Sequence, residues 1–220
     1  MRNDYLAKFV ANVLDRTKYW AWGYNDVIVH GDGLNKCDGA LLIPNHIEAG
    51  DTVAIGTAVY KETGMPPYFV MKSSLPFSPV LEAAGGIPWS RSRELQTLLR
   101  RNPGQKAELV HAYRAQRDCV RSQVADITNN GGLVTMYLQG TRTPEGKTVL
   151  GSGYTNSLKK WIAPMNADIV PVNIYHSFKS DGRRVQKVVN LDFGDPVHSG
   201  EGLETIVDRL CQHIDVFEKA

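Results

Sequence analysis

Seven short apolar runs punctuate the chain: Val27–Val29, Ala40–Pro44, Tyr68–Met71, Ile87–Trp89, Leu133–Leu138, Ile169–Ile174 and Val188–Phe193. Runs of this length, rich in Val, Ile and Leu, read as buried or half-buried strands. Helical periodicity fills the gaps between them. It predicts helices over Thr52–Thr63, Lys106–Thr128, Tyr154–Met165 and Leu203–Phe217; in the second, Leu109, Tyr113, Val120, Val124 and Ile127 share one face. Strands alternating with helices of this length imply an α/β fold with a mainly parallel central sheet flanked by helices. With 220 residues the chain suits a single domain. An amphipathic N-terminal helix (1–25) would precede a core (26–195) and a C-terminal helix (196–220).

Bulk properties exclude several classes. A net charge of +2 is too near neutral to argue for nucleic acid. No stretch approaches the roughly 18 apolar residues of a membrane span, and the first residues lack the apolar block of a secretory leader. The scattered Cys37, Cys119 and Cys211 suggest reduced thiols and a cytoplasmic address. On the N-terminal helix, Leu6, Phe9, Val10, Val13 and Leu14 form a stripe followed by Tyr19, Trp20 and Trp22. That stripe suits packing on the domain, and also peripheral contact with a membrane surface.

Chemistry concentrates after the second apolar run, in Asn45-His46-Ile47-Glu48-Ala49-Gly50-Asp51. Groups at the carboxyl ends of strands face the functional crevice in such folds. Within one α-helix, five steps would rotate a pair roughly 140° apart. His46 and Asp51 therefore meet only if His46 lies in the turn before the helix, with Gly50 easing the bend. Two roles for Asp51 stay open: capping a helix that starts at Thr52, or orienting the imidazole. His176 and Asp181 share the same spacing, but a Ser-Asp-Gly turn follows and no helix start, which marks the pair as coincidence. His30, His46, His111, His176, His198 and His213 show no metal-ligand grouping with cysteines or carboxylates, and His213 and Glu218 would diverge on one helix.

Four segments in order resemble the motif blocks of the glycerolipid acyltransferase family, typified by 1-acylglycerol-3-phosphate acyltransferases. Asn45-His46-x4-Asp51 matches the first; Gly86-Ile87-Pro88-Trp89-Ser90-Arg91 is similar to the second. Tyr137-Leu138-Gln139-Gly140-Thr141-Arg142 resembles the third, and Ile169-Val170-Pro171-Val172 the fourth. Lys72 falls where the family often has a lysine. The resemblance spans roughly residues 26–195. It implies transfer of a fatty acyl group from a thioester donor, acyl-coenzyme A or acyl carrier protein, to a phosphorylated or otherwise anionic hydroxyl acceptor such as a lysophospholipid. His46 would be the base and Asp51 its orienting partner. Asn45, Lys72, Arg91, Gln139, Gly140, Thr141, Arg142 and Pro171 would bind substrate, with no tightly bound cofactor and no metal.

One departure is pronounced: Gln139 stands where the family has glutamate. It keeps size and hydrogen-bonding capacity but removes a charge. It leaves open a different acceptor, a reduced-activity or purely ligand-binding relative, or an introduced change; hydrolysis of the thioester is a further alternative. The basic cluster Arg91, Arg93, Arg100, Arg101 and Lys106 suits an acidic carrier protein, coenzyme A phosphates or anionic headgroups. Equally, it suits a solvated linker around Asn102-Pro103-Gly104.

Overall fold

In a computed structural model, residues 3–75, 78–139, 142, 148–180, 182 and 184–219 are described, apart from the side chains of residues 14, 15, 17–22 and 148. The chain opens with helix α1 (Asp4–Trp22), strand β1 (Asp26–His30), a short 3-10 turn, β2 (Ala40–Pro44) and α2 (Asp51–Thr63). Then come β3 (Tyr68–Lys72), α3 (Ser78–Ala83), β4 (Gly86–Trp89), α4 (Ser92–Arg101) and the long α5 (Lys106–Asn129). β5 (Leu133–Thr135), β6 (Thr148–Leu150), α6 (Ser152–Ile162), β7 (Asp168–Ser180) and β8 (Val185–Phe193) lead to β9 (Val197–His198), α7 (Leu203–His213) and β10 (Phe217–Lys219).

The main sheet runs β1-β8-β7-β2-β5-β3-β4, with β9 beside the start of β7. Its pairs are parallel except those of β7 with β8 and with β9. The architecture is therefore the α/β one anticipated, a mostly parallel sheet covered on both faces. Alternation along β2 shows how it is filled. Leu41 and Ile43 join a core built with α5, α6 and α7, while Ala40 and Leu42 join another built with α2. Every residue of β2 is buried, as expected of a central parallel strand. α2 stops at Gly64, whose left-handed φ of 72° returns its N–H to the Tyr60 carbonyl.

Four expectations change. β7 does not end near Tyr175 but continues to Ser180, because its outer half forms an antiparallel ladder with β8. The last helix stops at His213, and Phe217 is buried from a strand beside β6; His213 and Glu218 thus share no helix. The basic segment, for which a solvated linker is one of two equal expectations, contains α4. On α1 the packed face is Ala7 and Ala11, whose small side chains let it lie close to α2, whereas Phe9 and Val13 face outward with Tyr5. No helix is long and apolar enough to cross a membrane among the described residues.

Candidate active site

The site grows from the end of β2. Pro44 is the last residue in register with β7, opposite Val172. Asn45, almost fully buried, then extends the ladder with its side chain: Nδ2 donates to the Ile174 carbonyl (2.9 Å) and Oδ1 accepts from the Ile174 N–H (2.6 Å). This rung turns the chain out of the sheet at a fixed point and delivers His46 into the turn that leads to α2. Gly50 enters that helix at φ −68°, an ordinary right-handed value, so the bend does not draw on glycine's special freedom.

Asp51 is completely buried at the first position of α2. Its Oδ2 lies 3.1 Å from His46 Nδ1 and accepts the N–H groups of Ile47 and Glu48, both at 2.7 Å. The carboxylate therefore ties down the turn before the helix and the imidazole together. Burial alone would raise its pKa, but His176, His46 and the two N–H groups outweigh that and hold it at about 2. It is an anion throughout the neutral range.

With Nδ1 on the carboxylate, His46 Nε2 is the remaining ring nitrogen and makes no hydrogen bond among the described residues. The Tyr137 ring stacks on the imidazole at 4.1 Å between centroids, and its hydroxyl accepts from Thr52 Oγ1 at 3.1 Å. Burial, reinforced by the Asp51 charge, pushes the Tyr137 phenol far up and keeps it neutral. Gln139 Oε1 accepts the His46 backbone N–H at 3.1 Å. The third block thus reaches the first at His46, because β5 leaves its ladder after Thr135 and the chain drops across the histidine.

Sequence spacing missed the other side of Asp51. Val170, Val172 and Ile174 of β7 pack toward α2, and two residues beyond Ile174 comes His176. Its Nε2 is 3.5 Å from Asp51 Oδ1 and 3.9 Å from Glu48 Oε1. At that distance the contact is electrostatic, and neither Nε2 nor Oδ1 makes a conventional hydrogen bond among the described residues. Lys187 of β8 grips Glu48 through both carboxylate oxygens, at 2.7 and 2.6 Å. Contrary to the sequence reading, a histidine does group with carboxylates: one heteroatom each from Glu48, Asp51 and His176 lies within 4.8 Å of the others. Lys187 already supplies the cation there. The alternation running from Val170 to His176 was the available signal. Asp181, which has the same spacing from His176, lies outside the described residues, as do Gly140 and Thr141.

His46 lines a cavity of about 1050 Å³. Its walls are mainly apolar, with Val53, Phe69, Leu81 and Trp161 among them, and Lys72, Arg91, Gln139 and Arg142 supply polar groups. Arg91 and Arg142 are exposed and make no ion pair among the described residues. Lys72 Nζ stands 3.8 Å from Glu94 Oε1. Arg117, unanticipated, lies 4.3 Å over the Trp89 ring at the same cavity. Asn45 and Pro171 are not on its walls. The first is committed to Ile174, and the second sits inside β7 opposite Ile43.

This geometry can be set beside known proteins. A family model described as "Acyltransferase" matches residues 26–175. The fold resembles the crystal structure of the 1-acyl-sn-glycerophosphate (LPA) acyltransferase PlsC from Thermotoga maritima, with a TM-score of 0.54 and 19% identity, covering 95% of this chain and 81% of that one. Identity at that level speaks to the fold alone. Among curated proteins no match to the sequence is found.

Proposed function

Because this chain belongs to the acyltransferase family, we propose that it transfers a fatty acyl group from a thioester donor to the hydroxyl of a phosphorylated glycerolipid such as a lysophospholipid, with His46 as base. The observation that carries this reading is the His46–Asp51 contact at 3.1 Å, one side buried and anionic, the other on the wall of a large apolar cavity.

A hydroxyl is a poor nucleophile until a base removes its proton during attack. His46 Nε2 takes that proton as the acceptor oxygen bonds to the thioester carbonyl carbon. Asp51 holds the tautomer and stabilises the imidazolium, as the aspartate does in a serine-protease triad. The C–S bond then breaks, the sulfur leaves with the electron pair, and it recovers the proton from His46. Products are an ester and a free thiol, with no enzyme-bound acyl group required. Arg91 and Arg142 suit an acceptor phosphate through charge-assisted hydrogen bonds, with Lys72 as a weaker third charge because Glu94 shares it.

Gln139 fits an active enzyme. Its use toward His46 is as a hydrogen-bond acceptor, which an amide oxygen serves as well as a carboxylate. In a transfer assay with acyl thioester and lysophosphatidate, His46→Ala should lower turnover by about 10² to 10⁴. Equal thioester consumption by variant and parent chain would remove the base from the mechanism. Free fatty acid regardless of added acceptor would assign hydrolysis instead.

A further inference from the structure

Beyond the cavity that holds His46 lies a second concavity of about 760 Å³, between α4, α5 and the end of α6. Arg114, Arg117, Arg121 and Lys160 line it, against one carboxylate, Asp118. Asp118 is taken by Arg121 at 2.8 Å. Arg117 and Arg121 stand one helical turn apart on α5, where like charges repel. They are held together by aromatic faces: Arg117 at 4.3 Å and Arg121 at 5.6 Å over Trp89, with Trp161 packed 4.6 Å from Trp89. Each keeps a buried Nε–H with no acceptor among the described residues. Buried donors without acceptors are costly, and stacked guanidinium groups arranged side by side suit phosphate.

The concavity touches the catalytic cavity at two residues, Tyr113 and Arg117. We propose that this groove binds the phosphate groups of a pantetheine-type thioester donor, the arm passing Tyr113 and Arg117 so that the thioester reaches His46. The inference rests on the acyl-transfer reading above and adds a donor subsite to it. An acceptor phosphate lies only a few bonds from its reacting hydroxyl and belongs with Arg91 and Arg142 inside the cavity. A donor phosphate lies a whole pantetheine arm from its carbonyl, which suits a groove set outside the His46 cavity and meeting it at Tyr113 and Arg117. Of the basic cluster that stands out in the sequence, Arg91 lines the His46 cavity, whereas Arg93, Arg100, Arg101 and Lys106 line neither cavity.

The test is equilibrium binding of free coenzyme A and of unphosphorylated pantetheine by calorimetry, independent of turnover. The variant is Arg114→Glu/Lys160→Glu; both side chains make no ion pair among the described residues, and circular dichroism checks its fold. Coenzyme A should bind the parent chain and lose at least tenfold in affinity in the variant, while pantetheine binds weakly and equally to both. His46→Ala should leave coenzyme A binding unchanged. A parallel arm uses carrier protein with and without its phosphopantetheine. If only the phosphopantetheinylated carrier binds, and the variant weakens it, the donor is carrier-borne and the groove assignment stands. Binding of neither donor, or unchanged affinity in the variant, overturns it. Loss of turnover in His46→Ala with intact donor binding keeps the two proposals separable.

Discussion

The Oε1 atom of Gln139 holds the backbone N–H of His46, a task that needs a lone pair and not a charge. Gln139 is also nearly buried, in a site where Asp51 is already an anion. Restoring glutamate keeps the acceptor, so Gln139→Glu should hold turnover within about tenfold of the parent. Gln139→Leu leaves the N–H unsatisfied, at about 1–3 kcal/mol. Expressed in the transition state, that is a loss of about 5- to 150-fold, read in kcat under saturating donor and acceptor. A leucine variant as fast as the parent would reduce the contact to packing. His46, Asp51 and Gln139 were legible in the sequence because local motifs carry them. His176 was not: its link to Asp51 crosses from β7 to the N-terminus of α2, a contact that tertiary overlap creates and linear spacing cannot encode.

Among the elements, α4 shows how a polar segment becomes ordered. None of its residues is buried, so periodicity offered no apolar stripe wide enough to reveal it. Its entry is held by one carboxylate. Glu94 accepts the Arg91 N–H (3.0 Å) and the hydroxyls of Ser73 (3.1 Å) and Ser74 (2.9 Å), joining the ends of β3 and β4 to the helix. Burial raises the Glu94 pKa, but the Arg91 N–H, the two serines and Lys72 pull it below its usual value. Removing these bonds with Glu94→Ala should destabilise the protein by about 1–2 kcal/mol, seen as a lower urea midpoint. It should also raise KM for the phosphorylated acceptor, since Arg91 loses its anchor, while Glu94→Gln recovers most of both. The strands were easier to read than α4 because central parallel strands are apolar on both faces. The outer half of β7 failed that signature, being largely exposed: Tyr175, Phe178, Lys179 and Ser180 are exposed while His176 and Ser177 are only partly so.

At the scale of the molecule, the family match ends at residue 175 while both cores do not. β8 sends Val189, Leu191 and Phe193 into the α2 side of the sheet, and α7 with the residue that caps it sends Ile206, Leu210 and Ile214 into the α5 side; all are buried to 2% exposure or less. Fully burying such side chains stabilises by about 1.5–3 kcal/mol each, so six are worth on the order of 10 kcal/mol. That is an upper estimate, since unfolded chains bury some surface already, but it matches the whole stability of a typical domain, about 5–15 kcal/mol. β8 also brings Lys187 to Glu48, behind the turn that carries His46. A chain ending at residue 175 should therefore keep every motif residue and still not fold. Its near-ultraviolet circular dichroism should be featureless and its urea unfolding non-cooperative, whereas the chain to residue 220 should unfold in one sharp transition. Cooperative unfolding of the shorter chain would mean that the sheet stands without its antiparallel extension, and that β8 and α7 cover the motif-bearing region without being needed to build it.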